Sequence, residues 1–241
     1  MHHASVVFVP IQLWGINLSI TTPVLWTFVA TLLCIVFCLL ATRRLHLVPQ
    51  GYLQNIFEII IEFIETQIIK PTGLESKTWT PFILTIFLFI LFNDLMGIIP
   101  GATPATSNIN QTAALAIMVF ILGNVLRFYK HGGLFGFLKS IMPPGVTGPI
   151  VLLLFPIELI SQLVKPFSLA IRLFANMSGG HILVLTIIGF TTLFGNIAVS
   201  IISVGGTAII VLFEIFIGFI QAYVFAFLSA LLLGESLADE H

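Results

Sequence analysis

The chain is written mostly in long apolar runs, and the length of each run predicts an element. Roughly Pro23 to Thr42 is free of charge for about 20 residues, one bilayer span of helix. Gln50 to Ile69 follows a different rule. Leu53, Ile56, Phe57, Ile60, Ile61, Ile64 and Ile68 recur at steps of three and four, while Glu58, Glu62 and Glu65 gather on the other side. That pattern predicts an amphipathic helix over 50–70 lying on the cytoplasmic surface. Surface-lying helices carry Lys and Arg on their polar side, so an acidic face suits a protein partner or plain solvent better than anionic lipid. Spans are expected again at 80–100 and 111–127, separated by the uncharged turn chemistry of Pro100 to Asn110.

Two further segments are too long for one ordinary span. Roughly Pro149–Ile188 and Asn196–Leu233 stay mostly apolar for about 40 residues each. As helices they would reach about 60 Å against a hydrocarbon core of about 30 Å. Splitting either in two would need polar turns near Arg172 or Glu214, yet both residues sit in apolar sequence. The expectation is therefore two long, strongly tilted helices, 149–190 and 195–234, forming a hairpin that bends near Gly189–Asn196. A kink at Gly179–Gly180 is the alternative. The fold class that results is an all-α integral membrane protein. It has three helices of ordinary length, two long tilted ones and one surface helix, in one continuous membrane domain over 1–241.

Charge orients these elements. Arg43, Arg44 and His46 follow the first span, and Arg127, Lys130, His131 and Lys139 follow the third. Basic residues beside a span mark the cytoplasmic side, so the N-terminus is expected outside. No basic n-region or cleavage site precedes the first span, which is expected to be kept. At 58% hydrophobic and 8% charged, the composition excludes an ordinary soluble domain. No basic stripe suggests nucleic acid. Cys34 and Cys38 lie one turn apart inside the first span, where packing or lipid contact is the simplest role.

Arg172 is what the pattern does not excuse. It stands in Phe167-Ser-Leu-Ala-Ile-Arg-Leu-Phe-Ala-Asn176, and no Asp, Glu, Lys or Arg follows until Glu214. A guanidinium in hydrocarbon costs roughly 2.5–3.5 kcal/mol on insertion scales and cannot deprotonate its way out. Glu158, Ser161, Lys165, Ser168, Arg172 and Asn176 follow at steps of three and four, one polar stripe rising from the cytoplasmic end. Glu214 and Gln221 share a face of the second long helix. With Asn93, Asp94 and His181 they form a second set that could reach the same depth from outside. Titratable groups inside membranes pair or relay protons, and histidine exchanges protons near neutral pH. Two dead-end wet paths meeting at a fixed cation would pass protons to a moving partner without a direct leak. Structural readings stand beside these. The serines could bond carbonyls one turn back, and Lys165 could snorkel or be neutralised by Glu158. Asp94 could bond the outer turn, and His181–Glu214 could be an ion pair.

Arg172-Leu-Phe-Ala-Asn-Met-Ser-Gly-Gly-His181, with Lys165-Pro166 and Ser168 upstream, resembles subunit a of F-type ATP synthases. Gln221-Ala-Tyr-Val-Phe225 and the Pro100–Thr112 loop are similar to the same family, in the same order along nearly the whole chain. The resemblance implies a stator subunit against a rotating ring of subunit c, with peripheral-stalk subunit b among its partners in the complex and in the lipid bilayer. It implies that Arg172 is the essential arginine facing the ring carboxylates. Ser168 and Asn176 would lie towards the cytoplasmic path, and Asn93, His181, Glu214 and Gln221 towards the outer one. Many bacterial members have Glu at the position of His181 and His at that of Glu214. The exchanged pair here is similar to the mitochondrial and alphaproteobacterial arrangement. Ala114 stands where some relatives have a hydroxyl.

The function expected is proton translocation between two half-channels, in the bacterial inner membrane or, alternatively, the mitochondrial one. With no phosphate-cradling loop and no metal-ligand cluster, no cofactor and no hydrolysis by the chain itself are expected. Two rivals remain. A secondary transporter would use Arg172 as its substrate site, although no internal repeat is detectable. A scaffold would use the charges only for packing.

Overall fold

The computed structural model describes residues 7–9, 12–13, 16–17, 20–43, 46, 51–99, 102, 105–133, 136–137, 140, 150–195 and 197–237. For residues 7–9, 12–13, 16–17, 20, 105, 151, 152, 159, 166 and 181 it describes the backbone alone. The chain opens on two short antiparallel pairs. β1 (Val7–Val9) pairs with β4 (Ile20–Thr21), and β2 (Gln12–Leu13) with β3 (Ile16–Asn17). These pairs lie ahead of the first expected span, where no element was expected, and the membrane body is all-α. Strands this short carry too few alternations to register as a period.

Helices follow. They are α1 (Thr22–Thr42), α2 (Tyr52–Ile64), α3 (Ser76–Met96), α4 (Ile109–Lys130), α5 (Ile150–Phe194) and α6 (Ile197–Leu237). All but α2 are long and apolar enough to cross a membrane. In α1 proline occupies the first turn, where a missing N–H costs nothing. The hydroxyls of Thr27, Thr31 and Thr42 donate to carbonyls one turn back at 2.7–2.8 Å. Polar groups in lipid find internal partners in this way.

α2 continues through a π turn (Glu65–Ile69) to Thr72, and Gly73 ends it in the left-handed region at φ 71°. Its far end buries Ile64, Ile68 and Ile69, whereas Leu53 and Ile56 remain open at its start. Phe63 joins α2 to α3 and α6 through rings of Phe87, Phe219 and Tyr223, with centroids 5.5–6.2 Å apart. The core lies where α3, the end of α2 and the second half of α6 meet, around Ile83, Phe87, Ile90, Phe225 and Leu233.

α5 is a single helix of 45 residues, unbroken at Gly179–Gly180. Gly195, at φ 55°, turns the chain, and α6 runs back along α5. Lys165 meets Glu235, Asn176 meets Gln221 and Gly180 meets Glu214, in reverse order along the two helices. Small residues let α6 approach its neighbours closely. A Cβ added at Gly234 would sit 2.5 Å from the Thr72 backbone oxygen, which has no freedom to retreat. Gly234→Ala is therefore expected to destabilise the chain by about 1–3 kcal/mol. Thermal dissociation of the purified complex measures it, and an unchanged midpoint would refute the contact.

Candidate functional site

Two neighbouring faces of α5 have different fates. Gln162, Leu169, Ala170, Leu173 and Met177 are buried against the rest of the chain. Ser161, Lys165, Ser168, Arg172 and Asn176 are exposed on the adjoining flank, with Glu158 half-buried at its lower end. The helical period does this sorting, since the polar residues step by three and four in one register and the packed residues in another. Ser161 and Ser168 make no hydrogen bond among the described residues, and Arg172 makes no ion pair there. The guanidinium thus stands in the middle of an apolar helix on a surface that its own chain leaves open.

Above Arg172 the structure gathers polar groups from three helices. Asn176 Nδ2 donates to Gln221 Oε1 at 3.1 Å, joining the stripe of α5 to buried Gln221 on α6. Two turns earlier on α6, the Glu214 carboxylate lies against Gly180, where an added Cβ would run into Oε1. α3 supplies Asn93 and Asp94, both buried. Asp94 approaches α6 because Gly218 has no side chain, the ideal Cβ position there lying 3.1 Å from the Asp94 Cβ. A cavity of about 10 Å³ opens among Asp94, Asn176, Glu214 and Gln221, near the least space that holds one water. Asn93 Oδ1, Asp94 Oδ1, Glu214 Oε1 and Gln221 Nε2 are buried with no hydrogen-bond partner among the described residues. The side chain of His181 lies outside the described residues, so its pairing with Glu214 is not described.

Gly180→Ala tests this cleft. The added methyl meets the mobile end of Glu214 first, so the carboxylate would shift while the helices hold. Expected is normal assembly with proton-driven ATP synthesis reduced by up to about 100-fold, the scale that ångström misplacement reaches. Full synthesis in membrane vesicles would show that the carboxylate's position does not matter.

Below Arg172 the charges are differently paired than residue order suggests. Lys165 Nζ bonds Glu235 Oε2 at 2.8 Å, so its carboxylate partner lies on α6 and is not Glu158. Arg127, near the end of α4, is buried and feels the charges of Glu235 and Glu158. Lys130 adds a bond to the Leu237 carbonyl. A cavity of about 280 Å³ runs between α4, α5 and α6, lined by Lys165, Ser168 and Ser229 among apolar residues. Its lining ends one turn short of Arg172. Arg127 and Glu235 escape a reading by sequence because the charges they face lie far away along the chain, and Ser229, whose hydroxyl donates to the Phe225 carbonyl one turn back, escapes because the cavity it lines is closed by other helices. No cluster of three or more His, Cys, Asp or Glu suited to a metal occurs among the described residues.

A multi-pass, all-α membrane protein with a permanent cation between two groups of polar side chains belongs to the class that moves ions. Residues 24–234 match the family model described as ATP synthase A chain. The chain is similar to "ATP synthase subunit a" of Myxococcus xanthus (strain DK1622), 38% identical over 230 residues, covering 94% of this chain and 75% of the relative. It is likewise similar to "ATP synthase subunit a" of Rhodospirillum rubrum, 36% identical over 229 residues, covering 95% and 93%. The protein of that description from Acidiphilium cryptum (strain JF-5) is 38% identical over 203 residues, covering 82% and 80%. The chain belongs to this family. It is a proton-translocating stator subunit of the ATP synthase and hydrolyses nothing itself.

Proposed function

We propose that Arg172 faces the carboxylates of a rotating subunit c ring and divides two half-channels. The observation that carries this reading is the open position of Arg172, uncovered and without an ion pair among the described residues. A cation left on such a surface in a bilayer needs an anionic partner from outside the chain. Protons come from the outer side through Asn93, Asp94, His181, Glu214 and Gln221 and neutralise a ring carboxylate. After nearly a full turn the carboxylate meets Arg172. A cation within about 4–6 Å favours its ionised form, and the proton leaves by way of Ser168, Lys165, Ser161 and Glu158. Asn176, bonded to Gln221, stands at the junction of the two routes.

Other elements take their places around this exchange, within one membrane domain. A helix of 45 residues extends about 68 Å, so α5 and α6 lie as a hairpin far from the membrane normal. Ile197, Ile201, Ile202 and Ile209, each at least 69% exposed, present an apolar surface to lipid and ring. α2 lies on the cytoplasmic face, where Glu62 and its neighbours suit peripheral-stalk subunit b. The N-terminus is outside, and the membrane is the bacterial inner membrane. Arg172→Ala in the intact complex tests the reading. An assembled enzyme without proton-driven ATP synthesis supports it, and retained synthesis overturns it.

A further inference from the structure

A cavity of about 480 Å³ lies at the basic end of α1, away from the proton path. It is lined by Leu40 of α1, by Arg43 and His46 beyond that helix, and by the first turn of α2 from Gly51 to Gln54. Its volume falls in the range of ligand pockets, about 300–1,000 Å³. Gln54, only 5% exposed, fixes the walls. Its Nε2 donates to the His46 carbonyl at 2.8 Å and to Glu58 Oε1 at 2.7 Å, while the His46 backbone N–H donates to Gln54 Oε1 at 3.4 Å. One amide thus ties the segment leaving α1 to the start of α2. It also engages the nearest carboxylate, which does not line the cavity. One turn away on each helix, Phe37 and Phe57 join the same pair, ring centroids 6.0 Å apart.

What faces the cavity is basic. Arg43 and His46 are exposed, and Arg43 makes no ion pair among the described residues. The guanidinium is a permanent cation suited to phosphate, and the imidazole offers an N–H donor beside it. Gly51 caps α2 without a side chain, so the first amides of that helix add to the pull on an anion. Glu62 and Glu65, the rest of the acidic face, come more than two turns further along α2.

An apolar track continues from this basic pocket. Leu40, Val36, Leu33 and Val29 are each 38–50% exposed and step by four, three and four along one flank of α1. From Leu40 to Val29 the helix rises about 16 Å, the depth of one leaflet of a core about 30 Å thick. A soluble anion has no use for such a track, but an acyl chain does. Tyr52, 91% exposed at the rim, belongs to the residue type that gathers at headgroup level.

We propose that this cavity seats the head of an anionic phospholipid of the cytoplasmic leaflet. Arg43 and His46 hold its phosphate, and one acyl chain lies along Leu40, Val36, Leu33 and Val29. The lipid pins the junction of α1 and α2 to the membrane surface. The leaflet follows from the orientation proposed above, whereas the site itself is independent of the path through Arg172.

The test uses the intact complex in phosphatidylcholine vesicles with a trace of phosphatidylglycerol that carries a photoactivatable group near the top of one acyl chain. Illumination and peptide mass spectrometry are expected to place the adduct on Leu40, Tyr52 or Leu53. Excess unlabelled phosphatidylglycerol should erase it, and inorganic phosphate should not. Arg43→Gln should lower the adduct about fivefold relative to other labelled sites of the complex, the worth of one arginine at an anionic membrane surface. Equal labelling by the matching phosphatidylcholine probe would mean ordinary bilayer contact and overturn the site. An adduct indifferent to Arg43→Gln would do the same. Displacement by inorganic phosphate would assign the cavity to a soluble anion, and absence of the adduct would mean that another subunit covers it. Either result overturns the lipid. If Arg43→Gln fails to assemble, the competition and the comparison of headgroups on the parent complex decide the matter.

Discussion

Arg172→Lys is expected to abolish proton-driven ATP synthesis as completely as Arg172→Ala, although it preserves the formal charge. The guanidinium works here because it is permanent, planar and forked. Lysine offers a compact ammonium on a flexible stem, and in a membrane it can shed its proton. A side chain that takes up and releases protons beside the ring site would carry protons between the two routes in place of separating them. Each charge crossing the membrane is worth about 2.3 kcal/mol per 100 mV, and a short circuit dissipates that energy without torque. Burial argues that the fold will tolerate both changes. Arg172 is exposed and ion-pairs with nothing among the described residues, while the packed side of α5 is carried by Leu169, Leu173 and Met177. The measurement is ATP synthesis by reconstituted complex under an imposed pH gradient and potential, with assembly checked by co-purification. Robust synthesis by Arg172→Lys would show that a mere positive charge suffices, and the argument for a fixed divider would fail.

Hydropathy alone carries much of this architecture. A charge-free run the length of a bilayer has few alternatives to helix, so α1, α3 and α4 are legible from Leu, Ile and Phe. The length of α5 and α6 is legible from the embedding of Arg172 and Glu214 in apolar sequence. The stripe from Ser161 to Asn176 is legible for a related reason, since helical periodicity ranks residues by face without knowledge of any partner. Contacts between helices are not so encoded. Nothing near Lys165 announces Glu235, 70 residues away. Arg127 reads as one of several basic residues closing a span, yet it is buried, with the charges of Glu235 and Glu158 acting on it from other helices. Thr106 reads as turn chemistry between Pro100 and Asn110. Its burial is set by the tertiary packing around it, which no local pattern records. Asn176 shows the same limit, because its place on the α5 stripe is periodic while its bond to Gln221 is tertiary.

Glu214 and position 181 form the second large effect. Glu214→Gln is expected to leave a complex that assembles and conducts at least tenfold more slowly, the equivalent of about 1.4 kcal/mol on the limiting barrier. The amide has nearly the shape of the carboxylate but cannot take up and release a proton on the route to the ring. Position 181 follows Gly180, the residue against which Glu214 packs, so the two places belong to touching turns of α5 and α6. His181→Ala should slow conduction likewise. The informative variant is the exchange, His181→Glu with Glu214→His. It keeps one imidazole and one carboxylate at the contact, and it should recover a clear part of the flow lost in His181→Glu or Glu214→His alone. Groups that act as a unit are strongly non-additive, and a double-mutant cycle is the means of seeing it. Flow in the exchange equal to the product of the two single losses would mean that each residue acts alone. The outer route would then depend on Asp94 and Gln221, with Glu214 reduced to packing against Gly180.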